Sequence, residues 1–299
     1  MKKLFFLSTM LLIAFMAQAQ VKVSPKMTKG QTKTYTSTGV VELPGQAAVT
    51  INEETTYAVA DATADGYLVS ITTTQVSSDA TADNFMGRLM LINSEMLKGQ
   101  PIRVKTDKDG KAVGIQNFEE VKKNAVQAAE RLIDAVLEQV PQVKDMLSKE
   151  MLMGQVKDQL TEQKTIDALT LPTSVLALNG KTIALGAQDE YTNSQGMKMK
   201  RMYLLGGQNK ITATAKMDND PETMKKLIIE QVEKMAPDQA EMVKQNIDAV
   251  MASGMIKFEG SDKTTYELAD DGWMKSIEEE STTNTMGQEI KSKTTVRLK

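Results

Sequence analysis

Cysteine and histidine are both absent from this 299-residue chain, and tryptophan occurs once. Without cysteine there is no disulfide, no thiolate nucleophile and no site for a thiol-linked lipid anchor. Without histidine, the usual general base of serine hydrolases and the commonest transition-metal ligand are lost together, so a hydrolytic zinc site of ordinary type cannot be built. No serine is followed three residues later by lysine, which removes the Ser-x-x-Lys scheme. No two glycines are spaced as G-x-G or G-x-x-x-x-G, so the dinucleotide fingerprint and the P-loop are missing as well. Aromatics are scarce: Phe5, Phe6 and Phe15 lie in the first apolar stretch, and Trp273 is the single indole platform for a sugar. These absences predict a protein that is not an enzyme, with no catalytic residues, no cofactor and no metal ligands.

The chain opens MKKLFFLSTMLLIAFMAQAQ: two lysines, an apolar run from Leu4 to Met16 too short to span a bilayer, then Ala17 and Ala19 flanking Gln18. This is the pattern of a secretory signal peptide over 1–19, cleaved after Ala19, with the mature chain starting at Gln20. A periplasmic or extracellular address follows. Loss of Lys2 and Lys3 moves the net charge from −3 to −5, an acidity that gives no reason to expect nucleic acid. No later stretch is apolar and long enough for a membrane helix, so no transmembrane anchor is expected after processing.

The pattern over 20–299 predicts a single α+β domain. Residues 30–116 alternate like strands, rich in Thr, Val and Tyr and broken at Pro44-Gly45 and Asp65-Gly66, with a short helix-like insertion from Phe85 to Leu97. Helices are expected over 117–168, opened by Asn117 as N-cap three residues before Glu120 and interrupted at Pro141. Strands resume over 174–217, with turns at Asn179-Gly180, Ser194 to Gly196 and Gly206-Gly207. Helices over 221–253 open at Asp220-Pro221, split near Pro237 and stop at Gly254. Strands fill 255–299. Lacking βαβ alternation, this order predicts a large, curved, hairpin-connected antiparallel sheet of about ten or more strands against amphipathic helices.

Three stretches hint at chemistry. In VKTDKDGKAVGIQN, Asp107 and Asp109 precede Gly110, but a calcium loop with Gly110 at its sixth position puts Lys105 first and Gln116 twelfth, where carboxylates belong. A hairpin turn is the better reading, since Ile102 and Val104 alternate with polar residues before Asp109-Gly110 and Val113 and Ile115 do so after it. Glu278, Glu279 and Glu280 stand together and Asp270 adjoins Asp271, yet neighbouring acids on a strand point to opposite faces and cannot act as a carboxylate pair across a cleft. Methionine is in excess, at 21 residues. In GMKMKRMYLL a strand places Met197 and Met199 on one side and Met202 on the other, so a Cu(I) site built from soft thioethers competes with core packing or an adaptable apolar pocket.

One pattern repeats. TTYAVADATADGYLVSI from Thr55 and TTYELADDGWMKSI from Thr264 share Thr-Thr-Tyr, Ala-Asp, Asp-Gly-aromatic and Ser-Ile, with three extra residues in the first loop. This reads as a reused hairpin.

The Ala-Gln-Ala-Gln end of the signal, the IRVKTDKDGKAVGIQNFEEVKK segment and the closing YELADDGWMKSIEEE and TMGQEIKSKTTVRL segments together resemble a family of exported Bacteroidota proteins of unknown function. The resemblance implies an envelope address and no established activity. Many members of that family are lipoproteins, whereas this chain lacks a lipobox cysteine. The architecture is also similar to periplasmic lipoprotein carriers, whose curved sheet folds over helices to shelter acyl chains. The expectation is an exported, non-enzymatic envelope protein that binds an apolar small molecule, lipid or acyl chain. The alternatives are a structural or protein-interaction protein with a filled core and a methionine-based Cu(I)-binding protein.

Overall fold

The computed structural model describes residues 20–81, 84–139, 148–193, 197–207, 209–218, 237–252, 258–285 and 288–299, together with 222, 224–226, 229 and 233. The expected signal peptide, Pro141, the Ser194–Gly196 turn, Asp220-Pro221 and Gly254 lie outside the described residues.

Strands β1 (Gln20–Lys22), β2 (Thr32–Glu42), β3 (Val49–Ala62), β4 (Gly66–Ser78), β5 (Ile102–Asp107), β6 (Ala112–Ile115), β7 (Thr182–Ala184), β8 (Gln188–Thr192), β9 (Lys198–Leu205), β10 (Lys210–Met217), β11 (Phe258–Leu268), β12 (Met274–Thr285) and β13 (Gln288–Leu298) alternate with helices α1 (Phe85–Glu95), α2 (Phe118–Gln139), α3 (Lys149–Gln159), α4 (Glu162–Ala168) and α5 (Pro237–Ala252). Eleven strands form one open, curved antiparallel sheet in the order β6-β5-β4-β3-β2-β13-β12-β11-β10-β9-β8. β1 pairs with β7 in a separate two-stranded sheet. The first and last long strands meet at the centre, with Tyr35 opposite Leu298 and Gly39 opposite Thr294.

The predicted α+β class and large antiparallel sheet match this architecture. Asp109-Gly110, Asp65-Gly66 and Asp271-Gly272 each turn a hairpin, and Gly110 and Gly272 sit at φ +82° and +80°, where a β-carbon is strained. Two expectations need correction. Residues 174–181 are consecutive turns: Ala177 N–H donates to Ser174, Asn179 to Leu176 and Lys181 to Leu178, at 3.0–3.1 Å. Their apolar run, Val175 to Leu178, is buried as a plug over the sheet, which is why it resembles a strand in sequence. Asn117 precedes α2, but its side chain is committed to β5: its Oδ1 accepts from Arg103 N–H at 2.9 Å and its Nδ2 donates to Pro101 O at 2.9 Å.

The outer face of the sheet is wet, with Lys293–Glu280, Arg297–Glu278 and Lys275–Glu267 pairs spanning adjacent strands. Along α2, Val121, Ala125, Ala129, Ile133 and Val136 keep helical spacing and are buried. Val121 joins the sheet core, whereas the other four, with Ile92 and Met96 near α1 and Leu152 and Leu160 near α3, form a core separate from it. Among the described helices, the main contacts with the large sheet fall on β3, β4, β5 and β6, leaving the central strands to other cover. No described helix is long and apolar enough to cross a membrane.

Candidate functional site

The inner face of the sheet changes character along its strands. At one end, Tyr35, Tyr57 and Trp273 meet edge to face, with ring centroids 5.4 and 6.4 Å apart. Tyr35 donates to Met274 O at 2.8 Å and Trp273 Nε1 to Lys26 O at 3.3 Å, so both polar tips are satisfied. Val69, Leu178, Tyr266 and Ile277 close this end with no exposed surface.

Further along the central strands burial thins, although Val49 on β3 stays buried. Register places Gly39 and Val41 on β2, Ile51 and Glu53 on β3, Thr294, Ser292 and Ile290 on β13, and Glu279 and Ser281 on β12 on the same inner face. All are half-buried, and Val41, Ile51 and Ile290 belong to neither the sheet core nor the helix core. Among the described residues, a β-carbon on Gly39 would meet Thr294 Oγ1 at 3.9 Å and Ile51 O at 4.0 Å, both ordinary contacts. We call this strip of the curved inner face the trough; it carries small, hydroxyl and aliphatic side chains together with the acids Glu53 and Glu279. α1 bounds one flank, where Gly87 packs on Val49, and the methionine-bearing strands β9 and β10 bound the other.

At the β9 flank lies a polar cluster. Arg201, only 2% exposed, donates from Nε and Nη2 to Asp189 at 2.8 and 3.0 Å, and its guanidinium stacks 4.7 and 5.1 Å from the ring centres of Tyr191 and Tyr203. Lys181 at 2.5 Å and the Tyr203 hydroxyl at 2.9 Å also donate to Asp189. Burial works against the Arg201 charge, yet the Asp189 contacts hold the guanidinium above its ordinary pKa. Burial also disfavours the Asp189 carboxylate, but Arg201 and Lys181 hold it below the usual range. Tyr191 donates to Asp262, linking edge strand β8 to β11 across the two strands between them. Glu279, in the next strand, has its pKa pushed up to about 7, first by burial and then by the Asp262 charge.

The stretches singled out in the sequence fall in different places. The Asp107 to Gly110 loop is a turn: Asp107 Oδ1 accepts from the Asp109 and Lys111 amides at 2.9 and 3.0 Å, and Asp109 meets Lys22 at 2.6 Å and the Ser24 hydroxyl at 3.0 Å. Its carboxylates are therefore engaged within the protein. Glu278 and Glu280 face outward in ion pairs while Glu279 faces the trough. Asp271 pairs with Lys33 at 2.7 Å and Asp270 is exposed. Met197 and Met199 share the buried side and Met202 is exposed on the other. Among the described residues no group of three or more Asp and Glu could hold a metal ion. The Arg201 cluster was not anticipated; its one sequence signal is the alternation of Met199, Arg201 and Tyr203, which sets an arginine on the apolar side of a strand.

Two shallow, open depressions lie apart from the trough, one beside Thr32, Glu54 and Lys299 and one beside Ile115 to Glu120. Neither gathers groups that suggest chemistry.

No protein-family model matches this chain, and no curated protein matches it. Among solved structures, the chain aligns with lipovitellin, in a structure of lipid–protein interactions, at 10% identity and TM-score 0.39, over 92% of this chain and 25% of that one. It thus spans a quarter of the length of the lipovitellin chain. A porin-like protein from Bacteroides uniformis aligns at 10% identity and TM-score 0.20, over 91% of this chain and 97% of that one. Likenesses this distant carry no argument, and the functional reading below rests on the chain's own residues.

Proposed function

We propose that this is an exported, non-enzymatic envelope protein that shelters an apolar ligand, a lipid or acyl chain, in the trough on the inner face of the sheet. One observation carries the reading: the central strands turn Val41, Ile51 and Ile290 to one face, half-buried and outside both the sheet core and the helix core, with Gly39 and small hydroxyl residues between them and Glu53 and Glu279 beside them. Apolar surface left half-buried in this way is removed from water when a hydrocarbon chain lies on it, at roughly 25 cal/mol per Å². The export signal, the absence of cysteine and histidine, and the resemblance to exported Bacteroidota proteins support the address and the lack of catalysis. A second reading, a structural or protein-interaction protein, is favoured by the closed end around Trp273, which is 1% exposed. Native mass spectrometry of the mature protein purified from its own envelope separates the two. A co-purifying lipid mass, released on denaturation, supports the carrier; a bare protein that also fails to take up added fatty acid or phospholipid contradicts it.

A further inference from the structure

Methionine is 21 of 299 residues, yet it supplies four of the five members of an isolated buried cluster: Met197, Met199, Met217 and Met224, with Ala215. They come from separate parts of the chain. Met199 lies on β9 and Met197 just before it, Met217 ends β10 opposite Met199, and Met224 reaches in from the helical residues 224–226. Exposures are 6%, 1%, 9% and 5%, so the four side chains are packed together in one buried cluster at the edge of the sheet. Tyr191, partly buried, packs against them, and its hydroxyl donates to Asp262.

We propose that Met197, Met199, Met217 and Met224 form a binding site for a single Cu(I) ion. Thioethers are soft, neutral donors, and the d¹⁰ Cu(I) ion accepts three or four of them without demanding a particular geometry. A buried site of neutral ligands tolerates one positive charge far better than two, which selects against Zn(II) and Cu(II); those ions also prefer the nitrogen and oxygen donors missing here. The inference is independent of the lipid reading, since the site lies at the flank of the trough and uses none of the residues of its floor.

The test is competition of the mature protein with bathocuproine for Cu(I) under ascorbate, with Ag(I) as a redox-inert probe and X-ray absorption to identify the donors. One equivalent of Cu(I) or Ag(I) in an all-sulfur shell is expected, with no binding of Zn(II). Met199→Leu and Met217→Leu are nearly volume-conserving, so they keep the packing, and each should weaken binding by about tenfold or more, a loss of about 1.4 kcal/mol. Met202→Leu, on the opposite face, should leave it unchanged. Failure of the wild-type protein to take Cu(I) or Ag(I), a shell of nitrogen or oxygen, or equal affinity in the folded leucine variants overturns the proposal and leaves the cluster as core.

Discussion

The two ends of the sheet's inner face are built on the same strands and behave oppositely. At the Trp273 end every large side chain has a neighbour: Tyr35, Tyr57 and Trp273 interlock, and residues 175–178 and 23–27 close over them, held by Val23 N–H to Lys181 O at 2.9 Å and Gly180 N–H to Val23 O at 2.8 Å. At the Gly39 end the strands turn glycine, serine, threonine, single aliphatic residues and the acids Glu53 and Glu279 inward, and most of these are only half-buried. Closure thus follows from the size of the inward residues and the presence of a covering segment. The first end holds the fold together, and the second is free to hold something else.

That contrast sets the order of expected effects. Trp273→Ala should cost about 3–5 kcal/mol in denaturant unfolding, because it opens a large cavity in the closed end. A loss below about 1 kcal/mol would mean the core does not depend on the indole. Gly272→Val should cost roughly 1–3 kcal/mol. A β-carbon there is strained at φ +80° and comes within 3.0 Å of Ser24 O and 3.1 Å of Pro25 Cα. Asparagine relieves the strain in φ but not the contact with backbone, so it should be only partly tolerated at Gly272.

Glu279 sharpens the comparison at the boundary between the two ends, next to buried Ile277 and opposite buried Thr264. Its folded pKa of about 7 lies above its ordinary 4.5, so the folded state holds the proton longer than the unfolded one. Stability should therefore fall as pH rises from about 4.5 to about 7 and then level off. Glu279→Gln should remove that slope, stabilising the protein by up to about 3 kcal/mol at pH 8 and leaving it nearly unchanged at pH 4, as read from urea midpoints at the two pH values. Equal effects at both pH values would contradict the burial argument. Smallest of all, Ser292→Ala on the trough floor should shift stability by no more than about 0.5 kcal/mol. A large loss there would mean that the floor is packed.

Much of the fold was legible in sequence where the cause is local. Asp-Gly turns between alternating strands marked the hairpins, and the repeated Thr-Thr-Tyr pattern puts Tyr57 and Tyr266 at matching inward positions, opposite Ile71 and Ile277. Register, and therefore the face each residue takes, follows from such turns. What could not be read depends on distant partners. Nothing near Gly39 signals that β2 pairs with the last strand, and Asn117 was misread as a cap because its real partners on β5 arrive through the tertiary fold. The same holds for the sites. The pair Met197 and Met199 was visible from strand periodicity, but Met217 and Met224 join it only when β10 and the helical residue fold back, and the Lys181–Asp189–Arg201 cluster likewise gathers from three segments.

The most direct test of the open trough is to fill it. Gly39→Phe adds a ring where, among the described residues, a β-carbon has nothing nearer than 3.9 Å, so the variant should fold with stability within about 1 kcal/mol of the parent. Its lipid occupancy, measured by native mass spectrometry on protein from the same envelope preparation, should fall about tenfold or more. A folded Gly39→Phe protein that carries as much lipid as the parent, or a parent that carries none and takes none up, would contradict the account.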